Sequence, residues 1–271
     1  MMTTTLQRKQ TTPASAPTTF TFADGRAVNR LGFGTMRLTG QPGNFGPYAD
    51  WHQGIALLRE AFGLGVEVFD SARSYGPLDA DRIVGEALGD TDAFLATKGG
   101  VDKPEPGRIT VDGSPATLDR EIDEALANLR RDTIDLFQLH RVDPNTPIEQ
   151  SVAAMDAARR DGRVARLGLS NVDLPTLERA MTVAHIDSVQ NRLNMSETDD
   201  AELLDFTTKH GIAYLPYGPL GANPMQQGAK LDPVDALEWL LRRAPNIVAI
   251  PGTTKLEHMR ANAAVVDRLH A

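Results

Sequence analysis

The chain has 271 residues, of which 41% are hydrophobic and 24% charged, so it is long enough for one large α/β domain and apolar enough to bury a core. A formal net charge of −8 argues against broad contact with nucleic-acid phosphates or an anionic membrane, both of which need basic surface. Cysteine is absent, which excludes disulfides and thiolate metal sites and suits a reducing cytoplasm.

Residues 1–17 are polar and Thr-rich, without the apolar stretch of a secretory signal, and are expected to form a flexible tail ahead of a single domain over 18–271. Residues 18–22 and 27–29, joined through Asp24-Gly25, read as a hairpin, because Asp-Gly between alternating residues is a strong turn signal. From residue 28 onward, short apolar runs alternate with amphipathic stretches. Strands are predicted at 31–34, 66–70, 94–98, 134–140, 165–170, 188–191, 212–217 and 247–251. Helices are predicted at 54–63, 116–129, 148–160, 174–184, 202–210 and 234–243. In the second of these, Leu118, Ile122, Ala125, Leu126 and Leu129 carry the spacing of a one-faced helix. Eight β-then-α units without a break in composition predict a (β/α)8 TIM barrel, with the hairpin plugging its bottom. A doubly wound sheet is the alternative, but Gly32-Phe33-Gly34 supplies only two glycines of its phosphate-binding turn. No stretch approaches the roughly 20 apolar residues of a membrane span.

Barrel enzymes build their chemistry at the carboxy-terminal ends of strands. Asp70, Lys98 and His140 each close an apolar run, and Tyr75 follows five residues after Asp70. Taken singly, each has an ordinary explanation: a helix cap, a solvated lysine, a rim histidine. Together their roles interlock. A phenol is a weak acid at neutral pH, a neighbouring ammonium favours its ionised form, a carboxylate fixes the ammonium, and an imidazole orients a carbonyl.

On these residues the chain resembles the aldo-keto reductases. Phe69-Asp70-Ser71-Ala72-Arg73-Ser74-Tyr75-Gly76 is similar to the family's first signature, and Leu95-Ala96-Thr97-Lys98 and Asp135-Leu136-Phe137-Gln138-Leu139-His140 to its lysine and histidine strands. Gly168-Leu169-Ser170-Asn171 and Ile250-Pro251-Gly252-Thr253-Thr254 follow in the family's order, and the likeness spans roughly residues 28 to 266. Within the family, the chain looks nearest to bacterial members of the pyridoxal-reductase type. The resemblance implies NADPH-dependent reduction of an aldehyde or ketone by a tetrad of Asp70, Tyr75, Lys98 and His140, with Tyr75 as proton donor and no metal.

It further implies that Ser170, Asn171 and Gln190 hold the nicotinamide carboxamide and that Tyr217 stacks on its ring. Gly34, Thr35, Met36, Gly218 and Leu220 complete the cofactor wall. Gly252, Thr253 and Thr254 precede a helix whose free N–H groups suit the 2′-phosphate, with Lys255, His258 or Arg260 in reach and Asn262 at the adenine. His258 stands where many members have a permanently charged arginine, which weakens the preference for NADPH over NADH. The loop over 219–232 is short for a cofactor clamp, and the chain lacks a long tail after its last helix. An open pocket is therefore expected, with substrate choice resting on Phe45, Trp51 and Arg141. Two other readings remain open: a barrel aldolase with Lys98 as Schiff-base lysine, and a non-catalytic NADP-binding regulatory subunit.

Overall fold

The computed structural model describes residues 16–220 and 232–270. The tail over 1–15 and most of the loop expected to clamp the cofactor lie outside these residues. The chain opens with an antiparallel hairpin, β1 (Thr19–Thr21) and β2 (Ala27–Asn29), with Phe20 opposite Val28. Between the two strands, Gly25 takes a positive φ of 89° that a side chain would resist.

Strands and helices then alternate: β3 (Phe33–Gly34), α1 (Trp51–Gly63), β4 (Val68–Asp70), α2 (Asp79–Leu88) and β5 (Phe94–Gly99). A second antiparallel hairpin follows, β6 (Val101–Glu105) and β7 (Arg108–Val111). The alternation resumes with α3 (Pro115–Leu129), β8 (Leu136–Leu139), α4 (Ile148–Arg160), β9 (Leu167–Ser170), α5 (Leu174–Met181), β10 (Ser188–Gln190), α6 (Ala201–Lys209) and β11 (Ala213–Tyr214). It ends with α7 (Pro233–Arg243), α8 (Leu256–Ala263) and α9 (Val265–Arg268).

Seven strands form one parallel sheet in the order β11-β10-β9-β8-β5-β4-β3. The eighth predicted run is not a regular strand, yet its backbone reaches both sheet edges. Tyr214 of β11 accepts from Val248 N–H and donates to Asn246 O, each at 2.9 Å. On the other side Ala249 N–H donates to Arg30 O at 2.8 Å, and Gly32 and Gly34 N–H donate to Ala249 O and Pro251 O at 2.7 and 3.1 Å. Arg30, wholly buried beside this seam, donates to the carbonyls of Ile247, Pro17, Leu241 and Ala244. Burial without a carboxylate partner pulls its guanidinium down to about 10.

Strand side chains alternate between two cores because their period is two. Phe69, Leu95, Phe137, Leu139, Leu167, Leu169 and Val189 face outward and pack under the helices. Val68, Phe94, Ala96, Leu136, Ala213, Leu215, Val248 and Ile250 face inward, where Phe20, Phe22 and Val28 of the first hairpin cover them. The Phe22 and Phe94 rings stack at 5.2 Å, and the Arg166 guanidinium lies 5.1 Å from the Phe22 ring while pairing with Asp24. The hairpin thus caps the amino-terminal end of the inner core, as expected. No helix among the described residues is long and apolar enough to cross a membrane.

Candidate active site

Extending the inward register upward accounts for the site. Val68 is followed at the next inward position by Asp70, Ala96 by Lys98, and Leu136 by Gln138 and then His140. Arg166 leads through Gly168 to Ser170, and Ser188 to Gln190. At the carboxy-terminal ends of the strands Asp70, His140, Ser170 and Gln190 line a cavity of about 530 Å³, a size ordinary for small-molecule sites, with Lys98 and Gln138 fully buried beside them.

Lys98 is fully buried, and its Nζ donates to Asp70 Oδ2 and to Ser71 O at 2.7 Å each. The Tyr75 hydroxyl lies 3.4 Å from the same nitrogen. The second Asp70 oxygen accepts from Gln138 Nε2 at 3.2 Å and Gln190 Nε2 at 2.9 Å, so the carboxylate is held on both sides. Tyr75 is carried on the bend between β4 and α2. There Gly76 has φ +94°, and a Cβ at that position would fall 2.6 Å from Asp79 Cβ, so the bend requires glycine. The Tyr75 and His140 rings meet edge to face at 5.8 Å. Ser74 Oγ sits 3.4 Å from His140 Nδ1. With the hydroxyl donating there, Nε2 carries the imidazole proton toward a ligand.

The electrostatics divide three ways. Burial works against the Lys98 ammonium, but Asp70 and Tyr75 outweigh it and raise its pKa above the ordinary lysine value. Burial pushes the Tyr75 phenol up, and although Lys98 pulls the other way the net shift is upward. The expected lowering by the ammonium is therefore present but overridden in the free protein. His140 is held well below its ordinary value, first by burial and then by the charges of Lys98, Arg141 and Lys103, so it is neutral at pH 7. Asp81, fully buried on α2, accepts from Thr97 Oγ1 at 2.8 Å, and burial pushes its carboxyl up to about 6.

Most of the residues singled out from sequence converge here. Gly34, Thr35, Met36, Asp70, Tyr75, His140, Arg141, Ser170, Asn171, Gln190, Tyr217, Gly218, Leu220 and Gly252 all line the cavity. Asn171 sits in the left-handed region at φ +57°, donates to His140 O at 3.0 Å and accepts from the Tyr217 hydroxyl at 2.8 Å. Ser170 Oγ donates to Gln190 O at 2.8 Å. Asp173 independently caps α5 through Thr176 N–H at 2.9 Å, so one loop serves both the helix and the cavity.

Thr253 and Thr254, on the approach to α8, and His258 and Asn262, within it, are not among the residues that line the cavity. There Thr253 Oγ1 accepts from Lys255 N–H at 3.1 Å and lies 3.5 Å from His258 Nδ1. Arg260 is turned away, donating to Glu60 of α1 at 2.8 Å. Glu257 stands 3.8 Å from both Lys255 and His258. Phe45 and Trp51 are not among the lining residues; the Trp51 indole instead donates to Glu86 of α2 at 2.7 Å. Their places are taken by residues that sequence reasoning missed, among them Arg37, Asn44, Lys103, Ile109 and Arg192. Lys103 and Ile109 arrive on the β6–β7 hairpin, whose signal was the Pro106-Gly107 turn between two alternating stretches.

The donor set fits a dinucleotide. A hydroxyl, two side-chain amides and a tyrosine ring border one wall of the cavity, suited to a carboxamide-bearing aromatic ring. At the start of α8 no side chain caps the helix from its N-cap residue Lys255, which leaves an anion-binding terminus. No group of His, Cys, Asp and Glu among the described residues forms a metal site.

The profile of the Aldo/keto reductase family matches residues 30–235. Pyridoxine 4-dehydrogenase of Escherichia coli K12 is 37% identical over 270 residues, covering 93% of each chain. Among solved structures, a glycerol dehydrogenase from Gluconobacter oxydans superposes with a TM-score of 0.82 at 23% identity, covering 93% of this chain and 94% of that one. An aldo/keto reductase from Klebsiella pneumoniae, determined with NADP and acetate, gives a TM-score of 0.77 at 25% identity, covering 92% and 90%.

Proposed function

The chain belongs to the aldo/keto reductase family, and we propose that it reduces an aldehyde or ketone with NADPH through Asp70, Tyr75, Lys98 and His140. The observation that carries this reading is the buried Lys98 Nζ between Asp70 Oδ2 at 2.7 Å and the Tyr75 hydroxyl at 3.4 Å, two groups that line the cavity. We read segment 246–251 as the eighth staff of a (β/α)8 barrel, one domain over 18–271, working in the cytoplasm.

When bound, NADPH supplies the hydride that reaches the carbonyl carbon. His140 donates from Nε2 to the carbonyl oxygen and orients it; being neutral, it does so without placing a second full positive charge beside Lys98. As negative charge develops on that oxygen, Tyr75 transfers its proton there. The raised phenol pKa keeps that proton in place beforehand, and the Lys98 ammonium stabilises the phenolate left behind. Asp70 anchors Lys98, while Gln138 and Gln190 fix Asp70. Ser170, Asn171, Gln190 and Tyr217 hold the nicotinamide end, and Gly252 to Thr254 with the start of α8 hold the phosphate end.

The raised pKa of Lys98 also bears on the aldolase alternative, because a Schiff-base lysine must first lose its proton. No observation favours that alternative or a non-catalytic role. The test runs NADPH oxidation with an aldehyde panel beside a retro-aldol assay with borohydride trapping, on wild type and Lys98→Arg. NADPH-dependent alcohol formation by wild type, with weak residual activity in the arginine variant, is expected. A borohydride-trapped adduct on Lys98 with NADPH-independent carbon–carbon cleavage would replace this reading by the aldolase.

A further inference from the structure

The reductase reading is the premise here, and the question is what kind of carbonyl compound the cavity takes. Its wall carries four cations outside the tetrad, Arg37, Lys103, Arg141 and Arg192, and a single carboxylate, Asp70, already paired with Lys98. Arg192 pairs with Glu197 at 2.7 Å. Arg37, Lys103 and Arg141 reach no carboxylate among the described residues. The remaining residues, 1–15, 221–231 and 271, contain no Asp or Glu side chain that would supply one.

Lys103 is the most informative of the three. It is 8% exposed, and its Nζ is met only by neutral oxygens: Asn44 O at 2.9 Å, Gly43 O at 3.4 Å and, with the Asn44 amide turned to satisfy its neighbours, Asn44 Oδ1 at 3.2 Å. Burial lowers its pKa, and no counter-charge restores it. The adjacent Asp102 points the other way along the strand and pairs with Arg73 at 2.6 Å. An ammonium sheltered among neutral oxygens, with no carboxylate to balance its charge, favours an anionic ligand.

Position separates this cation from the cofactor. Arg141 follows β8, and Lys103 lies on β6, directly after β5. The charges of both residues reach His140, the group assigned to the carbonyl oxygen. In the sheet order, β8 is four steps from segment 246–251 in either direction, so Arg141 stands across the rim from the Gly252–Asn262 phosphate approach. The two cations thus flank the reacting carbonyl on the side away from the dinucleotide phosphates.

We propose that the substrate carries an anionic group, a carboxylate or a phosphate, close to its reactive carbonyl, and that Lys103 and Arg141 bind that group. Lys103 gives a buried, low-dielectric contact. Arg141, exposed at the rim, draws the anion in and closes over it with a planar fork matched to either oxyanion. Neutral aldehydes leave the charge of this ammonium unbalanced and are discriminated against by that difference.

Two matched pairs test this: 4-carboxybenzaldehyde against its methyl ester, and 4-formylphenyl phosphate against 4-hydroxybenzaldehyde. The quantity read is the kcat/KM ratio of anion to neutral partner in wild type, Lys103→Met and Arg141→Met. Charged hydrogen bonds of this kind correspond to roughly tenfold or more, so wild type should favour the anion by that margin in at least one pair. That pair identifies the anion. Each variant should collapse the ratio, with the effect of Lys103→Met the less sensitive to added salt. Because Arg141 is exposed, its variant is the one expected to fold unaltered, and it alone suffices to move the ratio. Ratios near one in both pairs, or ratios unchanged in the variants, overturn the proposal. If no aldehyde is reduced at all, the reductase reading fails instead. Calorimetric titration with benzoate and with inorganic phosphate then decides the anion site separately: binding lost in the variants upholds it, and no binding to wild type overturns it.

Discussion

At the amino-terminal ends of the strands, the inward side chains end in carbon: Phe20, Phe22 and Val28 close over Phe94, Leu136 and Val68. At the carboxy-terminal ends of the same strands, the same inward register holds Asp70, Lys98, Gln138 and Gln190, buried just as deeply. One end gains stability from apolar burial, at about 25 cal/mol per Å² removed from water. The other surrounds a buried ion pair with hydrogen bonds, an arrangement that is costly to build and that holds its side chains in place. The parallel sheet thus separates its apolar core from its polar cluster along a single strand, two residues per step.

Breaking the apolar end should show that separation most strongly. Phe22→Ala removes the ring stacked on Phe94, and a fully buried phenylalanine lost to alanine costs about 3–5 kcal/mol. Chemical denaturation should record a loss of that order, while kcat of the folded fraction stays near wild type. A large fall in kcat would mean that the two ends are coupled. The polar end should respond with the opposite sign. Asp81 titrates at about 6 in the folded chain, above the ordinary carboxylate value, so its ionisation destabilises the fold. That cost sets in as pH rises from about 4 and is complete above about 6. Asp81→Asn should therefore be the more stable protein at pH 7, by about 1–3 kcal/mol, with the advantage fading below pH 4. Denaturation midpoints measured from pH 4 to 8 check this, and a pH-independent difference between the two proteins would contradict it.

Farther out, water screens charge and the effects shrink. His258 is half exposed, and Glu257 lies beside it at 3.8 Å. His258→Arg should tighten NADPH relative to NADH by roughly two- to fivefold, in keeping with the small worth of exposed ion pairs. Fluorescence titration of both cofactors reads the ratio, and an unmoved ratio would place the 2′-phosphate elsewhere.

The contrast between the two ends was legible in the sequence because it rests on period and polarity. Val-Phe-Asp, Ala-Thr-Lys and Leu-Phe-Gln-Leu-His each show a polar residue ending an apolar run, and the inward register carried Asp70, Lys98 and His140 to one place. The first hairpin was legible from Asp24-Gly25. Side-chain direction on helices and loops was not. Arg260 and Trp51 looked available to ligands, but each meets a carboxylate on a neighbouring helix, Glu60 and Glu86. Such contacts depend on how helices pack, which local pattern does not encode. Asp81 was not singled out, since no helix was predicted over 79–88, and only packing reveals that it is buried. Lys103 was overlooked because the run after Gly100 was not taken as a hairpin, although 101–103 and 109–111 alternate around a Pro-Gly turn. The eighth run lacks regular pairing in part because Pro251 has no N–H to give.

The central claim is that Tyr75 gives its proton to the carbonyl oxygen and takes no part in holding the cofactor. Single-turnover aldehyde reduction and NADPH affinity should therefore be measured together on wild type and Tyr75→Phe. Loss of the acid should slow reduction by about 10²–10⁴-fold, while the NADPH dissociation constant stays within about twofold, since the dinucleotide contacts are assigned to other residues. Reduction at a near wild-type rate in Tyr75→Phe, with the cofactor bound normally, would mean that another group supplies the proton and that the assignment of Tyr75 is wrong.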